Sequence, residues 1–173
     1  MAWVGRRTGA SYRLLSEAEF EYSARGKTRP GSYPAYFFGA DAKDFCRYGN
    51  GMDTTGKRKV PGVTWTVLPC DDGYAYTSPV GSFAANPFGL SDMHGNLWQW
   101  VEDCWHEGYE EKGEKPPIDG SAWTTTGDCG RRVVRGGSWS NQPGYLRAAV
   151  RSRNPRANRS SGSGLRVART LNP

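Results

Sequence analysis

The sequence has few of the side chains on which most catalytic and transition-metal sites depend. Its 173 residues include two histidines and four cysteines, and the cysteines form neither a Cys-x-x-Cys pair nor a cluster with histidine. A structural zinc site is therefore not expected. The chain also lacks a phosphate-binding glycine loop, a dinucleotide fingerprint and a Gly-x-Ser-x-Gly nucleophile elbow. Its histidines, His94 and His106, are too few for a three-histidine site, and we expect both to be hydrogen-bonded structural residues.

Long apolar runs are also missing, and this limits the class of protein. No stretch approaches the length of a membrane span, and the first residues are too polar to form a signal peptide. Seven tryptophans and nine tyrosines can fill a core in place of the scarce aliphatic residues. Because 23 glycines and 11 prolines limit long regular elements, the composition predicts one loop-rich globular domain over residues 1–173.

The net charge of +6 comes largely from arginines near the end of the chain. Ten arginines lie in the last 43 residues, and no nucleic-acid-binding motif accompanies them. We expect a solvated arginine-rich surface without specific nucleic-acid binding; an anionic partner or a lipid headgroup surface is the alternative. Arg135, Arg151 and Arg166 are expected to pair with internal carboxylates instead. The expected partners are Glu19, Glu102 or Asp103.

A helix start signal lies near the beginning of the chain. Ser16 and Glu19 have the spacing of a capping box, in which each side chain accepts a hydrogen bond from the other residue's backbone amide. The helix should extend from about Glu17 to Arg25 and end at Gly26. Three residues would face the core: Leu15, Phe20 and Ala24.

The rest of the chain predicts short strands between long ordered loops. Residues 31–77 show no sustained period and predict loops with at most one short hairpin. The alternation from Leu97 to Asp103 predicts a strand with Trp98 and Trp100 on one face. Further strands are expected at Val133–Val134, Leu146–Val150 and Leu165–Ala168. The predicted class is α+β and loop-rich, with short helices and short antiparallel strands.

The four cysteines allow three pairings. Cys46 and Cys70 flank one loop region, and Cys104 and Cys129 flank another. Pairing in sequence order would close both loops, so we predict two disulfides, Cys46–Cys70 and Cys104–Cys129. Disulfides persist in oxidising compartments, which favours a periplasmic or secreted protein. The alternative is four reduced thiols in a cytoplasmic protein.

Three segments of the chain form a specific pattern. Residues 81–101 contain Asn-Pro-Phe-Gly-Leu-Ser-Asp-Met-His-Gly-Asn-Leu-Trp-Gln-Trp, residues 132–139 read Arg-Val-Val-Arg-Gly-Gly-Ser-Trp, and residues 164–169 read Gly-Leu-Arg-Val-Ala-Arg. Together with the helix motif they resemble the formylglycine-generating enzyme, or sulfatase-modifying factor, family. The resemblance implies a variant of the C-type lectin fold. In that family a substantial part of the domain precedes the helix motif, so we expect a fragment, or a domain completed by another subunit or a rearranged core.

The resemblance also implies two structural calcium sites. Carried over by motif, the first is formed by Asn50, Gly51, Asp72 and Tyr74, and the second by Asp92, Gly95, Leu97 and Gln99. The family usually has Glu at the position of Gln99. A neutral amide loses a charge and the bidentate option, so the second site should bind Ca²⁺ more weakly. The alternative for both sets is turn chemistry, in which Asp and Asn side chains cap backbone amides.

The same resemblance implies an oxidase, but the residues that such an oxidase needs are missing. The family enzyme binds copper through two cysteines between the Gly-Gly-Ser-aromatic motif and the next Ala-x-Arg strand. Here the interval Ser140–Arg151 is shorter and contains no cysteine. Without thiolates there is no soft site for Cu(I), so formylglycine generation is not expected.

The segment Ser138–Ser163 is the expected ligand- or partner-facing surface, because Ser, Asn, Arg and Tyr suit adaptable hydrogen bonding at an interface. Its candidate residues are Trp139, Asn141, Gln142, Tyr145, Arg153, Asn154, Arg156, Asn158 and Arg159. Four tryptophans would either line a ligand groove or pack into the core: Trp98, Trp100, Trp105 and Trp139.

The hypothesis is a non-catalytic binding or structural subunit, stabilised by calcium and disulfides, that docks on a protein partner or a larger complex. One alternative is a copper or non-haem iron oxidase or oxygenase whose missing ligands come from elsewhere. Another is a variable ligand-binding receptor with a C-type-lectin-like fold. Because a fold does not determine a function, the site itself has to decide between them.

Overall fold

Two small sheets and several short helices are joined by long ordered loops. The computed structural model describes residues 2–29, 31–110 and 113–170. Within them the α-helices are α1 (Ala2–Thr8), α2 (Glu17–Arg25) and α3 (Thr54–Lys59), and 3₁₀ helices span Ala42–Arg47 and Pro143–Tyr145. The strands are β1 (Tyr12–Leu14), β2 (Trp98–Trp105), β3 (Asp128–Arg135), β4 (Arg151–Pro155), β5 (Ser163–Leu165) and β6 (Val167–Arg169). None of the helices among these residues is long and apolar enough to cross a membrane.

The larger sheet has the strand order β4-β3-β2-β5, and β1 pairs with β6 in a separate antiparallel sheet. Strand β3 is antiparallel to β2 and β4, whereas β5 is parallel to β2. The register places Ser152, Val134, Trp100 and Leu165 side by side on one face. The next row faces the opposite side: Arg151, Arg135, Gln99 and Gly164. The α+β class is confirmed, although the larger sheet is mixed rather than purely antiparallel.

Helix α2 begins and ends where the sequence predicts. The Glu19 amide donates to Ser16 Oγ at 3.1 Å, and the Ser16 amide donates to the Glu19 carboxylate at 2.8 Å, so both bonds of the capping box are present. Gly26 follows the helix with a φ of +62°, a backbone angle that side chains disfavour. The three predicted core residues are all buried: Leu15, Phe20 and Ala24.

Strand β2 shows the predicted alternation and defines the two faces of the larger sheet. Val101 and Asp103 are buried on the face toward α2. Trp98 and Trp100 are half-buried on the opposite face, which we call the outer face. The strand is longer than predicted, since it continues to Trp105.

Two of the other strand predictions are wrong in position. Residues 146–150 form a turn, and strand β4 follows them. The apolar residues of this stretch pack a loop instead of forming a strand, since Leu146 is fully buried in a cluster with Tyr36. The predicted strand at residues 165–168 is divided between two sheets, since β5 pairs with β2 whereas β6 pairs with β1.

Short helical segments occupy regions that the sequence predicts as loops or leaves unassigned. Helix α3 spans six residues and is preceded by its N-cap residue Asp53, whose carboxylate accepts the Gly56 amide at 2.7 Å. A helix of this length completes too few turns to produce an apolar period. Between residues 31 and 77, the only bridge of the hairpin type among described residues joins Tyr36 to Gly39.

Two buried clusters form the core. The first contains Phe20, Ala24, Met93, Val101, Trp105, Val133 and Ala148, and the second contains Tyr36, Phe45, Leu68 and Leu146. His94 is fully buried beside the second cluster, with Nδ1 2.9 Å from the carbonyl oxygen of Leu146. Burial lowers the pKa of His94 to about 4, so the ring is neutral at pH 7 and donates this hydrogen bond.

A buried arginine connects α2 to the larger sheet. Arg135 of β3 is completely inaccessible to solvent and forms ion pairs with Glu17 at 3.0 Å and with Glu21. Its guanidinium also donates to the carbonyl oxygen of Ala148 at 2.9 Å. Arg151 of β4 binds the same Glu17 carboxylate through two hydrogen bonds, of 2.6 and 2.9 Å. Such a network is stable only when each buried charge is compensated.

The prediction of which carboxylates pair with these arginines is wrong. Two of the predicted carboxylates bind other groups, and the third lies on the other face of the sheet. Glu19 is held by the capping box and by Arg13, 2.6 Å away. Asp103 accepts two backbone N–H groups, at 2.7 and 2.8 Å. Glu102 is exposed on the outer face of the sheet. Arg166, the third arginine of that prediction, forms no ion pair with a carboxylate in the described residues and is considered below.

We expect Glu17→Ala to lower the free energy of unfolding by about 3–5 kcal/mol, because it leaves the buried Arg135 with incomplete compensation. The control is Glu110→Ala, which removes an exposed ion pair with Lys115 and should have no measurable effect. Urea denaturation of both variants measures the difference. Equal stabilities would show that the buried network contributes nothing.

The four cysteines form the two predicted disulfides, Cys46–Cys70 and Cys104–Cys129. The first ties a 3₁₀ helix to the loop that follows residue 68. The second connects β2 to β3. The two bridges therefore close the loops between residues 46 and 70 and between residues 104 and 129 in a domain with few aliphatic core residues.

We expect native protein to resist thiol labelling until a reductant is added. Removing one bridge, as in Cys104→Ser with Cys129→Ser, should lower stability by about 2–4 kcal/mol because the unfolded chain gains freedom. Quantitative labelling of all four thiols in freshly isolated protein without reductant would contradict the pairing.

Candidate calcium positions and binding cleft

The four residues predicted for the first calcium position lie together in the structure. The Gly51 amide donates to one oxygen of the Asp72 carboxylate at 3.1 Å, and the Tyr74 amide donates to the other at 2.8 Å. Asn50 is fully buried, and its Nδ2 donates to the carbonyl oxygen of Tyr76 at 2.7 Å. Its Oδ1 is buried and has no hydrogen-bond partner. An unsatisfied oxygen of this kind is a suitable ligand for a cation.

Negative charge is concentrated around this position. Carboxylate oxygens of Asp53 and Asp72 lie within 4.8 Å of each other. Cys46 Sγ is equally close but belongs to a disulfide, so it cannot act as a thiolate ligand. Burial, together with the neighbouring charges of Asp53 and Asp71, raises the pKa of Asp72 to about 6. A hard divalent cation would relieve this repulsion, so these residues fit calcium.

The second set of predicted residues also comes together, around a cavity of about 140 Å³. Asp92, Gly95, Leu97 and Gln99 all line it. The Asp92 carboxylate accepts the Gly81 amide at 2.7 Å through one oxygen, and its other oxygen is buried without a partner. Geometry alone would therefore allow a cation here.

Arg166, which lies between β5 and β6, changes the chemistry of this cavity. Arg166 lines the cavity, and its Nε donates to Gln99 Oε1 at 2.9 Å. Its Nη2 donates to the carbonyl oxygen of Ser91 at 2.7 Å. The guanidinium interacts electrostatically with Asp92 without forming an ion pair, and the Gln99 oxygen is occupied. The second set therefore does not fit calcium as well as the first, since a divalent ion would be placed beside a fixed positive charge.

The two positions are connected through one loop. Gly95 has a φ of +80°, and a Cβ atom there would lie 2.0 Å from the carbonyl oxygen of Asn50. The next amide, that of Asn96, donates to the same oxygen at 2.7 Å. The loop between the second position and β2 thus packs directly on the first position, and only glycine is compatible with this approach.

A polar cleft of about 240 Å³ opens on the outer face of the sheet. It is lined by Trp98, Val134, Ser138, Ser140, Asn141, Ser152, Asn154, Asn158, Ser160, Ser161, Gly162 and Ser163. We call it the serine–asparagine cleft. None of these described residues carries an acid, a base or a thiol. Such a surface can recognise a ligand through hydrogen bonds, but it offers no group for general acid–base or nucleophilic activation.

The edge of the cleft is held by its own hydrogen bonds. Both the amide and the hydroxyl of Ser138 donate to Asn141 Oδ1, at 2.9 and 3.0 Å. The indole N–H of Trp139 donates to the carbonyl oxygen of Ser161 at 3.2 Å. These bonds join the Gly-Gly-Ser-Trp turn to the loop before β5 and give the cleft a defined shape.

Comparison with known proteins identifies the scaffold. A family model described as the sulfatase-modifying factor enzyme 1-like domain matches residues 1–171. The chain belongs to this family. Its relatives include the mouse formylglycine-generating enzyme, 31% identical over 171 residues, and a mouse protein named inactive C-alpha-formylglycine-generating enzyme 2, 29% identical over 129 residues. These alignments cover 93% and 73% of this chain but only 40% and 34% of the two relatives.

Solved structures agree with the sequence comparison. PvdO from Pseudomonas aeruginosa superposes with a TM-score of 0.71 at 36% identity, over 98% of this chain and 57% of that one. The predicted family and its C-type-lectin-like fold are therefore confirmed. The chain spans less than half the length of the two mouse relatives and somewhat more than half of PvdO.

The predicted partner-facing residues of this family member divide into three groups. Asn141, Asn154 and Asn158 line the serine–asparagine cleft. Arg156 and Arg159 line a neighbouring groove on the outer face. The remaining four lie outside both: Trp139, Gln142, Tyr145 and Arg153.

Arg153 is displaced from that surface by strand register. It pairs across the sheet with Val133, whose side chain belongs to the buried face. The Arg153 guanidinium therefore packs over Trp105, 4.8 Å from the ring centre, and lies 3.5 Å from Glu107. Of the four tryptophans, Trp98 lines the serine–asparagine cleft, whereas Trp105 is packed in the core.

The predicted segment Ser138–Ser163 contains all the serines that form half of the cleft lining, but the list of candidate residues omitted them. Ser152 is brought there by β4, and Ser160 to Ser163 by the turn and strand that follow. The alternation of Ser152 and Asn154 along one strand was a usable signal, because residues two apart share a face. The serines of the turn carried no such signal.

Proposed function

We propose that this member of the sulfatase-modifying factor family is a non-catalytic binding domain, stabilised by calcium and disulfides, that docks on a protein partner. The observation that supports this best is the lining of the serine–asparagine cleft. Ser140 and Asn141, the first residues of the interval where the family oxidase has its copper cysteines, lie in a site without thiol, imidazole or carboxylate. A cleft of this composition binds rather than reacts.

The histidines support the same conclusion. His94 is fully buried, and His106 is almost so, with its ring stacked on Trp123 at 3.4 Å. Both ring nitrogens of His106 have partners, the carbonyl oxygen of Cys104 and the hydroxyl of Thr126, each at 3.1 Å. Neither histidine faces the cleft, so neither could hold iron there.

The family relationship is compatible with a role without catalysis. One mouse relative carries the word inactive in its name, so loss of activity has a precedent among the proteins similar to this chain. The two disulfides favour an oxidising compartment, in agreement with an extracytoplasmic location.

Calcium is proposed at the first position alone. There, Asn50, Gly51, Asp72 and Tyr74 would hold the ion, which supplies charge compensation and joins two loops without taking part in a reaction. An ion that binds only the folded state stabilises it by mass action. At the second position, Arg166 supplies the positive charge instead.

The role is tested on protein isolated from its source under mild conditions. We expect calcium but neither copper nor iron by elemental analysis, and a stoichiometric protein partner in the same fraction. Stoichiometric copper or iron, together with oxygen consumption in the presence of a cysteine-containing peptide, would contradict the proposal.

We expect isothermal titration of chelator-treated protein to show one bound Ca²⁺ per chain, and chelation to lower the melting temperature. Asp72→Asn should abolish binding, because it removes a carboxylate from the ligand set. Asp71→Asn is the matched control, since this neighbouring carboxylate is exposed and occupied by Thr55 and Arg58. The Asp71→Asn variant should still bind one Ca²⁺ per chain.

The second position is tested by Gln99→Glu. Combined with Arg166→Gln, this change adds a carboxylate and removes the guanidinium that would otherwise pair with it, and we expect a second calcium ion to bind. Two bound ions in the unaltered chain would show that Arg166 does not replace the metal.

A further inference from the structure

A groove of about 400 Å³ lies beside the serine–asparagine cleft on the outer face. Its floor is apolar, with Leu14 of β1, Trp100 of β2 and Leu165 of β5. Leu165, the last residue of the edge strand β5, is 63% exposed. Three arginines and one glutamate surround the floor: Arg132, Arg156, Arg159 and Glu102. We call this site the arginine groove.

The arginines of the groove, like Arg147 and Arg166, have no carboxylate partner among the described residues. Four other arginines between residues 131 and 153 each form an ion pair. In contrast, the contacts of Arg132 include the carbonyl oxygen of Glu102 at 2.6 Å, and Arg159 donates to the carbonyl oxygen of Asn158 at 3.0 Å. None of the three groove arginines forms an ion pair with a carboxylate in the part of the chain that the structure describes.

The charges around the groove are therefore incompletely balanced. Three arginines and one glutamate give a net charge of +2 on a small concave surface. Arg156 and Arg159 are exposed, so their guanidinium groups can meet a ligand without first losing an ion pair. The apolar floor and the positively charged rim of the groove together fit a ligand that carries both carboxylates and an apolar side chain.

The groove continues into the serine–asparagine cleft. Trp100 lines the groove and Trp98 lines the cleft, and the two residues are neighbours on one face of β2, about 7 Å apart. An extended peptide could therefore place side chains in the groove while its backbone amides meet hydroxyl and amide groups of the cleft.

We infer that the arginine groove docks an acidic segment of a partner protein, with an apolar side chain of that segment covering Trp100 and Leu165. The inference rests on the proposed role as a docking domain and names the chemistry of the partner. A protein segment fits better than a lipid surface, because it can offer carboxylates and an apolar side chain side by side, whereas a headgroup layer presents its charges without an apolar group at the same level.

The test uses the folded full chain and a fluorescein-labelled probe peptide, Gly-Asp-Leu-Glu-Asp-Gly, measured by fluorescence anisotropy. We expect binding of this peptide and none of its counterpart with lysine in place of each acidic residue. Arg156→Gln combined with Arg159→Gln should weaken binding by about tenfold, because two surface ion pairs are lost. Added salt should weaken binding as well.

Two single variants complete the test. One should strengthen peptide binding, and the other is the matched control. Glu102→Gln removes the negative charge of the groove and should strengthen binding. Arg147→Gln removes an exposed arginine that lines neither the groove nor the cleft, and should leave binding unchanged. Circular dichroism of each variant verifies that the fold is retained.

Several results would overturn the inference. These are equal binding of the acidic and lysine peptides, unchanged affinity in the double arginine variant, or binding of phosphatidylserine vesicles through these arginines while the peptide fails to bind. Any of them leaves the elemental analysis and the native partner of the proposed function unaffected, so the two proposals can fail separately.

Discussion

The buried charge of Arg135 constrains the rest of the structure. A guanidinium without solvent access requires anionic partners, and Glu17 and Glu21 supply them from successive turns of α2. Arg151 shares the Glu17 carboxylate, so one helix, β3 and β4 are joined through a single ionic network. This arrangement fixes which face of the larger sheet is covered by α2.

Because the inner face is covered by α2, the outer face carries the cleft and the groove that we propose for recognition. The same strands therefore carry two kinds of side chain: buried apolar and paired charged residues on one side, and serine, asparagine, tryptophan and unpaired arginine on the other. The serine–asparagine cleft and the arginine groove are adjacent products of this division. We propose that they act together as a docking surface, which the absence of reactive groups in the cleft supports.

The two candidate calcium positions show how one scaffold can be adjusted by charge. The first combines an unsatisfied amide oxygen of Asn50 with the carboxylates of Asp53 and Asp72. The second keeps a similar cavity, but its neutral Gln99 is held by Arg166. In our proposal an internal cation takes the place of a metal ion at the second position, so stability there no longer depends on calcium.

The sequence by itself determined helix α2, strand β2, the disulfide pairing and the family. Each of these depends on local spacing, as in the capping box of Ser16 and Glu19, or on a choice among few alternatives. Only the tertiary structure decided which charges meet. Glu17 and Arg135 are separated by 118 residues, and Gln99 and Arg166 by 67. Such pairs follow from the packing of a helix on a sheet and from strand order, which no local pattern encodes.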